Sequence, residues 1–139
     1  MPNITGSCHC GKVQYSCSSD PIFSAICHCS SCQKLSGTAF ITIIGLNKNE
    51  FNVTGKENLT KYVYTGDSGK PANRYFCNSC GSLIYGESTS RPDAINLTIG
   101  TLDDKSWIKP QMQVYWRDHV SFIQEMKDIP AFEIMPQKK

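Results

Sequence analysis

The sequence has little charge, little histidine and no long apolar run. Of its 139 residues, 19% are charged and 3 are histidine. The longest apolar-rich stretch, residues 39–46, is far short of the roughly 18 residues that a membrane-spanning helix needs. The only basic run is residues 138–139, and the formal net charge is +2. We therefore expect neither a nucleic-acid partner nor a membrane partner.

The first residues lack the basic start and the apolar run of a secretory signal. We therefore expect a soluble, cytoplasmic protein. Thiols stay mostly reduced in that compartment, so clustered cysteines are interpreted first as metal ligands or reactive thiols.

The composition predicts a folded chain. Apolar residues make up 40% of it, which is enough to build a hydrophobic core and excludes disorder over most of the length. A chain of this size fits one domain better than two. We expect a single domain over residues 1–139.

Alternating apolar and polar side chains predict many short strands separated by turn residues. The predicted strands cover residues 12–18, 22–26, 39–46, 50–54, 59–65, 73–77, 82–85, 94–99 and 111–116. Residues 67–71 are predicted to form a loop. Helical signals are weak, and the best of them covers residues 118–127. The pattern indicates an all-β fold with little helix.

Cysteine is abundant, and seven of the 8 cysteines fall into three short groups. The remaining one, Cys17, lies on the apolar face of a predicted strand and is interpreted as a small buried hydrophobe. Three groups in one short chain favour metal binding over chance core positions or reactive thiols. The groups are Cys8-x-Cys10, Cys27-x-Cys29-x-x-Cys32 and Cys77-x-x-Cys80.

The last group has the form of a zinc knuckle. Two thiolates separated by two residues can approach one ion, and Gly81 can take the positive φ that turns the chain around it.

Seven cysteines divide naturally into four and three. A structural zinc is closed by four protein ligands, whereas a catalytic zinc keeps one position open. We therefore predict two zinc ions per chain. Spacing alone leaves the pairing open, because the first two groups could equally share one ion. Our preferred division has a closed site of Cys8, Cys10, Cys77 and Cys80 and an open site of Cys27, Cys29 and Cys32.

At these cysteines the sequence resembles the family of glutathione-dependent formaldehyde-activating enzymes, which also includes the domain of centromere protein V. The resemblance extends over nearly the whole chain. Its strongest parts are residues 6–15, residues 27–34 with Gly37 and Phe40, and residues 74–82; weaker ones are residues 100–104 and 129–133.

The resemblance implies a fold and a role for each cysteine group. In the family, the positions of Cys8, Cys10, Cys77 and Cys80 hold a structural zinc, and those of Cys27, Cys29 and Cys32 hold the catalytic zinc. The implied fold is an antiparallel β-tent, in which the structural zinc clips the first turn to a distant hairpin. The family often has a His and then a Trp near the C-terminus, where this chain has Gln113 and Phe122.

Three thiolates on one zinc favour a particular chemistry. Their charge exceeds that of the ion, so a bound water would be only weakly acidified and simple hydrolysis is disfavoured. A soft thiol suits the fourth position better. The hypothesis is that glutathione, or another small thiol, adds reversibly to formaldehyde or a related aldehyde there. Such an enzyme is a carbon–sulfur lyase.

Other side chains have weaker signals. Basic residues that could bind the carboxylates of glutathione, with ordinary solvated side chains as the competing interpretation, are Lys34, Lys70, Arg74, Arg91 and Arg117.

Histidines and aromatic residues are expected to support the site rather than bind metal. His9 and His28 lie between ligands in extended chain, so their rings are expected to point away from the metal. His119 is a minor candidate to close the second site and make it structural. Four aromatic residues are predicted to pack in the core or in a pocket wall: Trp107, Tyr115, Trp116 and Phe122.

Two other functions compete with the enzyme hypothesis. The first is a non-catalytic zinc-binding interaction module. The second is thiol redox chemistry at Cys29-x-x-Cys32, which the neighbouring Cys27 makes less favourable than metal binding. Loading seven thiolates with two zinc ions would turn the formal charge negative, which further disfavours nucleic acid as a partner.

Overall fold

The predicted all-β fold is confirmed by a computed structural model, which describes residues 4–124 and 126–136. It contains ten strands and one short α-helix in that part of the chain. In chain order they are β1 (Ile4–Ser7), β2 (Gln14–Cys17), β3 (Phe23–Cys27), α1 (Ser30–Ser36), β4 (Ile41–Asn47), β5 (Phe51–Thr54), β6 (Leu59–Thr65), β7 (Pro71–Cys77), β8 (Leu83–Ser88), β9 (Ala94–Thr98) and β10 (Met112–Val114).

The strands form two sheets. The smaller has the order β1-β2-β5, and the larger has the order β10-β3-β4-β9-β8-β7-β6. Every strand pair is antiparallel except β10 and β3, which run parallel. Strand β10 therefore adds to the edge of the large sheet after a long connection rather than a hairpin. No helix in the described part of the chain is long and apolar enough to cross a membrane.

The main hydrophobic core contains side chains from both sheets. Its largest fully buried members include Ile4, Ile44, Leu46, Ile84 and Leu97. Cys17 joins this core with 6% of its surface exposed, which confirms its interpretation as a small buried hydrophobe.

Polar contacts also join the small sheet to the segment after β9. The Tyr15 hydroxyl lies 2.7 Å from the Thr101 hydroxyl. The Thr5 hydroxyl donates to the Asp103 carboxylate at 2.9 Å. Gly6 is needed here, because a Cβ on it would lie 2.2 Å from the Tyr15 oxygen.

The helix predicted over residues 118–127 is wrong. Its described residues form turns that follow a 3-10 turn at Trp116–Asp118; Glu125 lies outside the described residues. The backbone bonds in the described part of this segment form separate turns between residues three apart, as Asp118 N–H donates to Tyr115 C=O and Ile123 N–H to Val120 C=O. Isolated turns of this kind differ from the continuous ladder of bonds between residues four apart that an α-helix would make.

Strand β7 begins earlier than predicted. The sequence predicts a loop at Pro71, but this residue opens the strand and pairs with Thr65 of the edge strand β6. A proline at the first residue of a strand is tolerated because the sheet loses only one N–H donor there.

Replacing Gly55 by alanine is expected to destabilise the small sheet strongly. Gly55 has φ 79°, and a Cβ there would lie 1.9 Å from the Lys12 carbonyl oxygen. Left-handed backbone costs a non-glycine residue about 1–2 kcal/mol, and the backbone clash adds to it. We expect a loss of about 3 kcal/mol or more, measured by urea unfolding.

Gly69→Ala is the matched control. Gly69 has φ 84°, but a Cβ there would have nothing within 4 Å. We expect Gly69→Ala to be less stable by only about 1–2 kcal/mol, which is the cost of left-handed backbone for a residue other than glycine. Equal losses for the two variants would contradict the close approach of Gly55 to Lys12.

Candidate metal centres

The first cluster brings together four cysteines that are distant in sequence. The Sγ atoms of Cys8, Cys10, Cys77 and Cys80 all lie within 4.8 Å of one another. Cys8 and Cys10 are 3.5 Å apart, and Cys10 and Cys77 are 3.8 Å apart. Four sulfurs at about 2.3 Å from a tetrahedral zinc lie about 3.8 Å from each other. The donor set and its spacing therefore fit one zinc ion.

Two tight loops position these sulfurs. In the loop between β1 and β2, Cys8 N–H donates to the Val13 carbonyl, and Val13 N–H donates to Cys8 Sγ at 3.4 Å. In the turn between β7 and β8, Gly81 N–H donates to the Cys77 carbonyl at 2.7 Å. Gly81 has φ 80°, which agrees with the positive φ that the sequence predicts.

Side chains support the approach of the two loops. His9 N–H donates to the Ser82 hydroxyl at 3.0 Å, and Lys12 Nζ donates to the Ser79 hydroxyl at 3.2 Å. The Ser82 hydroxyl lies 3.2 Å from Cys80 Sγ, and this hydrogen bond lowers the pKa of Cys80. The cluster therefore links the small sheet to the β7–β8 turn of the large sheet.

The second cluster contains three sulfurs. The Sγ atoms of Cys27, Cys29 and Cys32 lie within 4.8 Å of one another, and all three residues are buried. Cys27 ends β3, Cys29 is the N-cap of α1, and Cys32 lies inside that helix. Across residues 4–124 and 126–136, no further Cys, His, Asp or Glu joins the group. The cluster thus offers three ligands where the first offers four.

The sequence prediction does not include the short helix α1, because only the residues at its two ends mark it as a helix. Cys32 N–H donates to Cys29 Sγ at 3.3 Å, which caps the first turn. Gly37 ends the helix with φ 70°, as glycine commonly does at this position. Seven residues are too few to show a helical period, but the Gly37 signal was visible in the sequence.

Neither His9 nor His28 joins a cysteine cluster, as predicted. The His28 ring is fully buried, its Nε2 lies 3.1 Å from Gln113 Oε1, and it makes an edge contact with Trp116. Gln113 Nε2 donates to the Ile129 carbonyl, so its oxygen accepts and His28 Nε2 carries the proton. Burial lowers the pKa of His28, which keeps it neutral at neutral pH.

His119 is not close enough to complete the second cluster. Its ring stacks on Trp116 with centroids 3.8 Å apart, and its Nδ1 bonds to the Trp116 carbonyl. The alternative in which His119 closes the second site and makes it structural is therefore wrong.

Arg74 is the only one of the five basic candidates that contacts a cysteine cluster in the described part of the chain. Its Nη2 donates to Cys32 Sγ at 3.2 Å, and its Nε donates to the Tyr64 hydroxyl at 2.8 Å. Burial lowers the pKa of Arg74, but the charges of Cys32 and Tyr64 outweigh it and raise the pKa. The other four candidates are exposed: Lys34, Lys70, Arg91 and Arg117.

Arg74 also lines a groove beside the cluster. The groove encloses about 310 Å³, and its walls include Leu35, Tyr62, Phe76 and Leu83. Tyr62 pairs with Arg74 across β6 and β7, and Leu83 pairs with Phe76 across β7 and β8. Alternation along β7 places Arg74 and Phe76 on one face and Cys77 on the other. Strand β7 therefore supplies Cys77 to the first cluster on one face and places Arg74 against Cys32 of the second cluster on the other face.

Three of the four aromatic residues pack as predicted. Tyr115 is buried beside the second cluster, Trp107 packs against the main core, and Trp116 contacts His28. Phe122 is 76% exposed, so its predicted place in the core or a pocket wall is wrong. It lies in the segment that forms turns instead of the predicted helix.

Comparison with known proteins gives one family match. Residues 3–118 match the model of the glutathione-dependent formaldehyde-activating enzyme family. A protein of Emericella nidulans, named provisionally for that activity, is 31% identical over 90 residues, which are 61% of this chain and 44% of the relative. A Halomonas elongata protein with the same name is 28% identical over 103 residues, covering 72% and 66%.

Two further matches concern a lyase and a fold. A Schizosaccharomyces pombe protein, named an uncharacterized lyase, is 28% identical over 85 residues, covering 61% of this chain and 58% of the relative. This chain thus spans between 44% and 66% of the length of these three relatives. A crystal structure of a Rhodobacter sphaeroides protein shares the fold, with a TM-score of 0.57, 24% identity, and coverage of 76% of this chain and 91% of that chain.

Proposed function

This chain belongs to the family of glutathione-dependent formaldehyde-activating enzymes, and from that membership we propose that it is a zinc-dependent carbon–sulfur lyase. In the proposed reaction, glutathione or another small thiol adds reversibly to formaldehyde or a related aldehyde. The observation that carries the proposal is the buried cluster of Cys27, Cys29 and Cys32, which supplies three soft ligands and no fourth among the described residues.

The proposal assigns a zinc ion to each cluster. Cys8, Cys10, Cys77 and Cys80 would hold a structural zinc, because four thiolates close a tetrahedral site. Cys27, Cys29 and Cys32 would hold the catalytic zinc and leave one position for substrate. When bound there, zinc would keep the sulfur of the substrate as a thiolate at neutral pH.

The bond changes in the proposed reaction are simple. The substrate thiolate gives an electron pair to the carbonyl carbon, and a C–S bond forms. The π electrons of the C=O bond move to the oxygen, which takes a proton from solvent. In the reverse direction the hydroxyl proton returns to solvent, the C=O bond forms again, the electron pair of the C–S bond leaves with the sulfur, and the thiolate and the aldehyde are released. The protein atoms undergo no net change.

Arg74 places a positive charge beside the three cysteines of the second cluster. The three cysteines are buried, and buried thiolates need a compensating partner. Arg74 supplies a positive charge at 3.2 Å from Cys32 Sγ. The groove beside Arg74 offers apolar walls and one cation, which suits a small organic thiol with a carboxylate.

The proposal also places residues 1–139 in one cytoplasmic zinc-binding domain. Support comes from the chemistry, because the seven clustered cysteines must stay reduced to bind metal. Cell fractionation of the full-length protein tests the location. Recovery mainly in a secreted or periplasmic fraction would contradict it.

We expect the zinc-loaded protein to accelerate the formation of the glutathione–formaldehyde adduct. The measurement follows adduct appearance by NMR, with a reaction lacking protein to subtract the spontaneous rate. The Cys17→Ala protein is the matched control, because Cys17 is buried but lies in neither cluster; it should keep the activity. A wild-type rate equal to the spontaneous rate would contradict the lyase assignment and leave a zinc-binding interaction module as the alternative.

A further inference from the structure

The three sulfurs of the open cluster have different surroundings. Cys29 Sγ accepts a hydrogen bond from Cys32 N–H, and Cys32 Sγ accepts one from the Arg74 guanidinium. Cys27 instead lies between two strands, paired with Ile41 of β4 and Val114 of β10. Cys29 Sγ and Cys32 Sγ are thus each hydrogen-bonded to an N–H donor, and Cys27 is buried at the end of β3.

The proposed reaction creates a selectivity problem for these sulfurs. Cysteine thiolates are nucleophiles in their own right, and the aldehyde would meet both the protein thiolates and the substrate thiolate. Addition to a protein sulfur would consume a ligand. The protein therefore needs a way to leave the substrate sulfur as the most reactive one.

A hydrogen bond to a protein thiolate can lower the reactivity of that sulfur. A donor that binds a thiolate shares its charge, and a charged donor such as a guanidinium does so most strongly. The guanidinium is planar and keeps its charge at all ordinary pH values. A thiolate that gives electron density to such a donor has less to give to a carbonyl carbon.

Arg74 is positioned for this role at the boundary between the cluster and the groove. It contacts Cys32 Sγ through Nη2 and also lines the groove. Its Nε bonds to the Tyr64 hydroxyl at 2.8 Å, which fixes the plane of the guanidinium. Tyr75, the next residue of β7, lies on the opposite face of that strand from Arg74 and stacks on Tyr85 with centroids 4.5 Å apart.

We propose that Arg74, oriented by Tyr64, is a positioning residue that withholds the Cys32 sulfur from the electrophile, so that the substrate sulfur reacts instead. The inference rests on the proposed function. The proposed effect is on the reactivity of a protein side chain, so it can be tested by the alkylation rate of Cys32, without glutathione or aldehyde.

The test measures alkylation of Cys32 by iodoacetamide in the zinc-loaded protein, followed by peptide mass spectrometry. Arg74→Met removes the donor while keeping a long side chain, and it is expected to raise the Cys32 alkylation rate about tenfold or more. Arg74→Lys keeps a charged donor and should raise the rate less. Tyr64→Phe should also raise it, because the guanidinium loses its anchor. Tyr75→Phe is the matched control, because Tyr75 lies outside the groove and both clusters, and it should leave the rate unchanged.

Three outcomes would overturn the inference. The first is an unchanged Cys32 rate in Arg74→Met. The second is an equal rise in Arg74→Met and Arg74→Lys, which would indicate easier access rather than a lost hydrogen bond. The third is loss of the second zinc in Arg74→Met, which would make Arg74 a residue that holds the ion in place. None of these results depends on adduct formation, so the lyase proposal is tested separately.

Discussion

Replacing Cys77 by serine is expected to abolish the stable fold. Cys77 is fully buried and belongs to the four-cysteine cluster that links the small sheet to the β7–β8 turn. Structural zinc contributes about 10–16 kcal/mol to the folding of zinc-finger peptides, whereas whole domains are stable by about 5–15 kcal/mol. Loss of most of the metal contribution would therefore equal or exceed the whole stability of a typical domain. Circular dichroism and zinc content per chain provide the measurement.

A second buried cysteine separates metal loss from ordinary core damage. Cys17→Ala changes a buried residue outside both clusters, and we expect it to keep both zinc ions and lose about 1 kcal/mol. If Cys77→Ser folds as well as Cys17→Ala and retains the same zinc content, the cluster of Cys8, Cys10, Cys77 and Cys80 is not a structural metal site.

Cys29→Ser is expected to lose one zinc ion and all adduct formation above the spontaneous rate, while the fold remains. Cys29 is a ligand in the proposed open site and also the N-cap of α1. Serine is a favourable N-cap residue, so the helix should keep its first turn. Zinc analysis, circular dichroism and the adduct assay on the same sample measure the three effects.

Ser31→Ala is the matched control for Cys29→Ser. Ser31 neighbours the cluster, but its hydroxyl donates to Asp67 at 2.7 Å rather than to a cysteine. We expect it to keep both zinc ions and full activity. Global unfolding of Cys29→Ser would make the three-cysteine cluster a second structural site, and unchanged zinc content would remove Cys29 from the ligand set.

The sequence predicted most strands because period-2 alternation survives wherever one sheet face is buried. It missed β1, where Ile4 is the only strongly apolar residue of four and pairing with β2 determines the structure. It missed α1 for the opposite reason, since a helix capped by Cys29 and Gly37 is specified by its ends. The wrong helix at residues 118–127 has an apolar stripe in the sequence, but Phe122 of that stripe is 76% exposed in the structure.

For the site, sequence spacing identified the three cysteine groups but not how they share ligands. Which groups meet depends on the packing of two sheets, and spacing along the chain contains no information about it. The sequence makes Arg74 one of five basic candidates and does not distinguish it from the other four. Its contact with Cys32 needed the three-dimensional position of α1, which no local pattern supplies.

Strand β7 has a consequence for how the molecule assembles. It carries Cys77 of the closed cluster on one face and Arg74, three residues earlier, on the other. Capture of an ion by the closed cluster would fix the end of β7 and thereby the position of Arg74 beside Cys32. The structural ion should therefore be required for the activity of the second cluster, although no residue is a ligand in both clusters. An apoprotein titrated with zinc would then gain its fold before its activity.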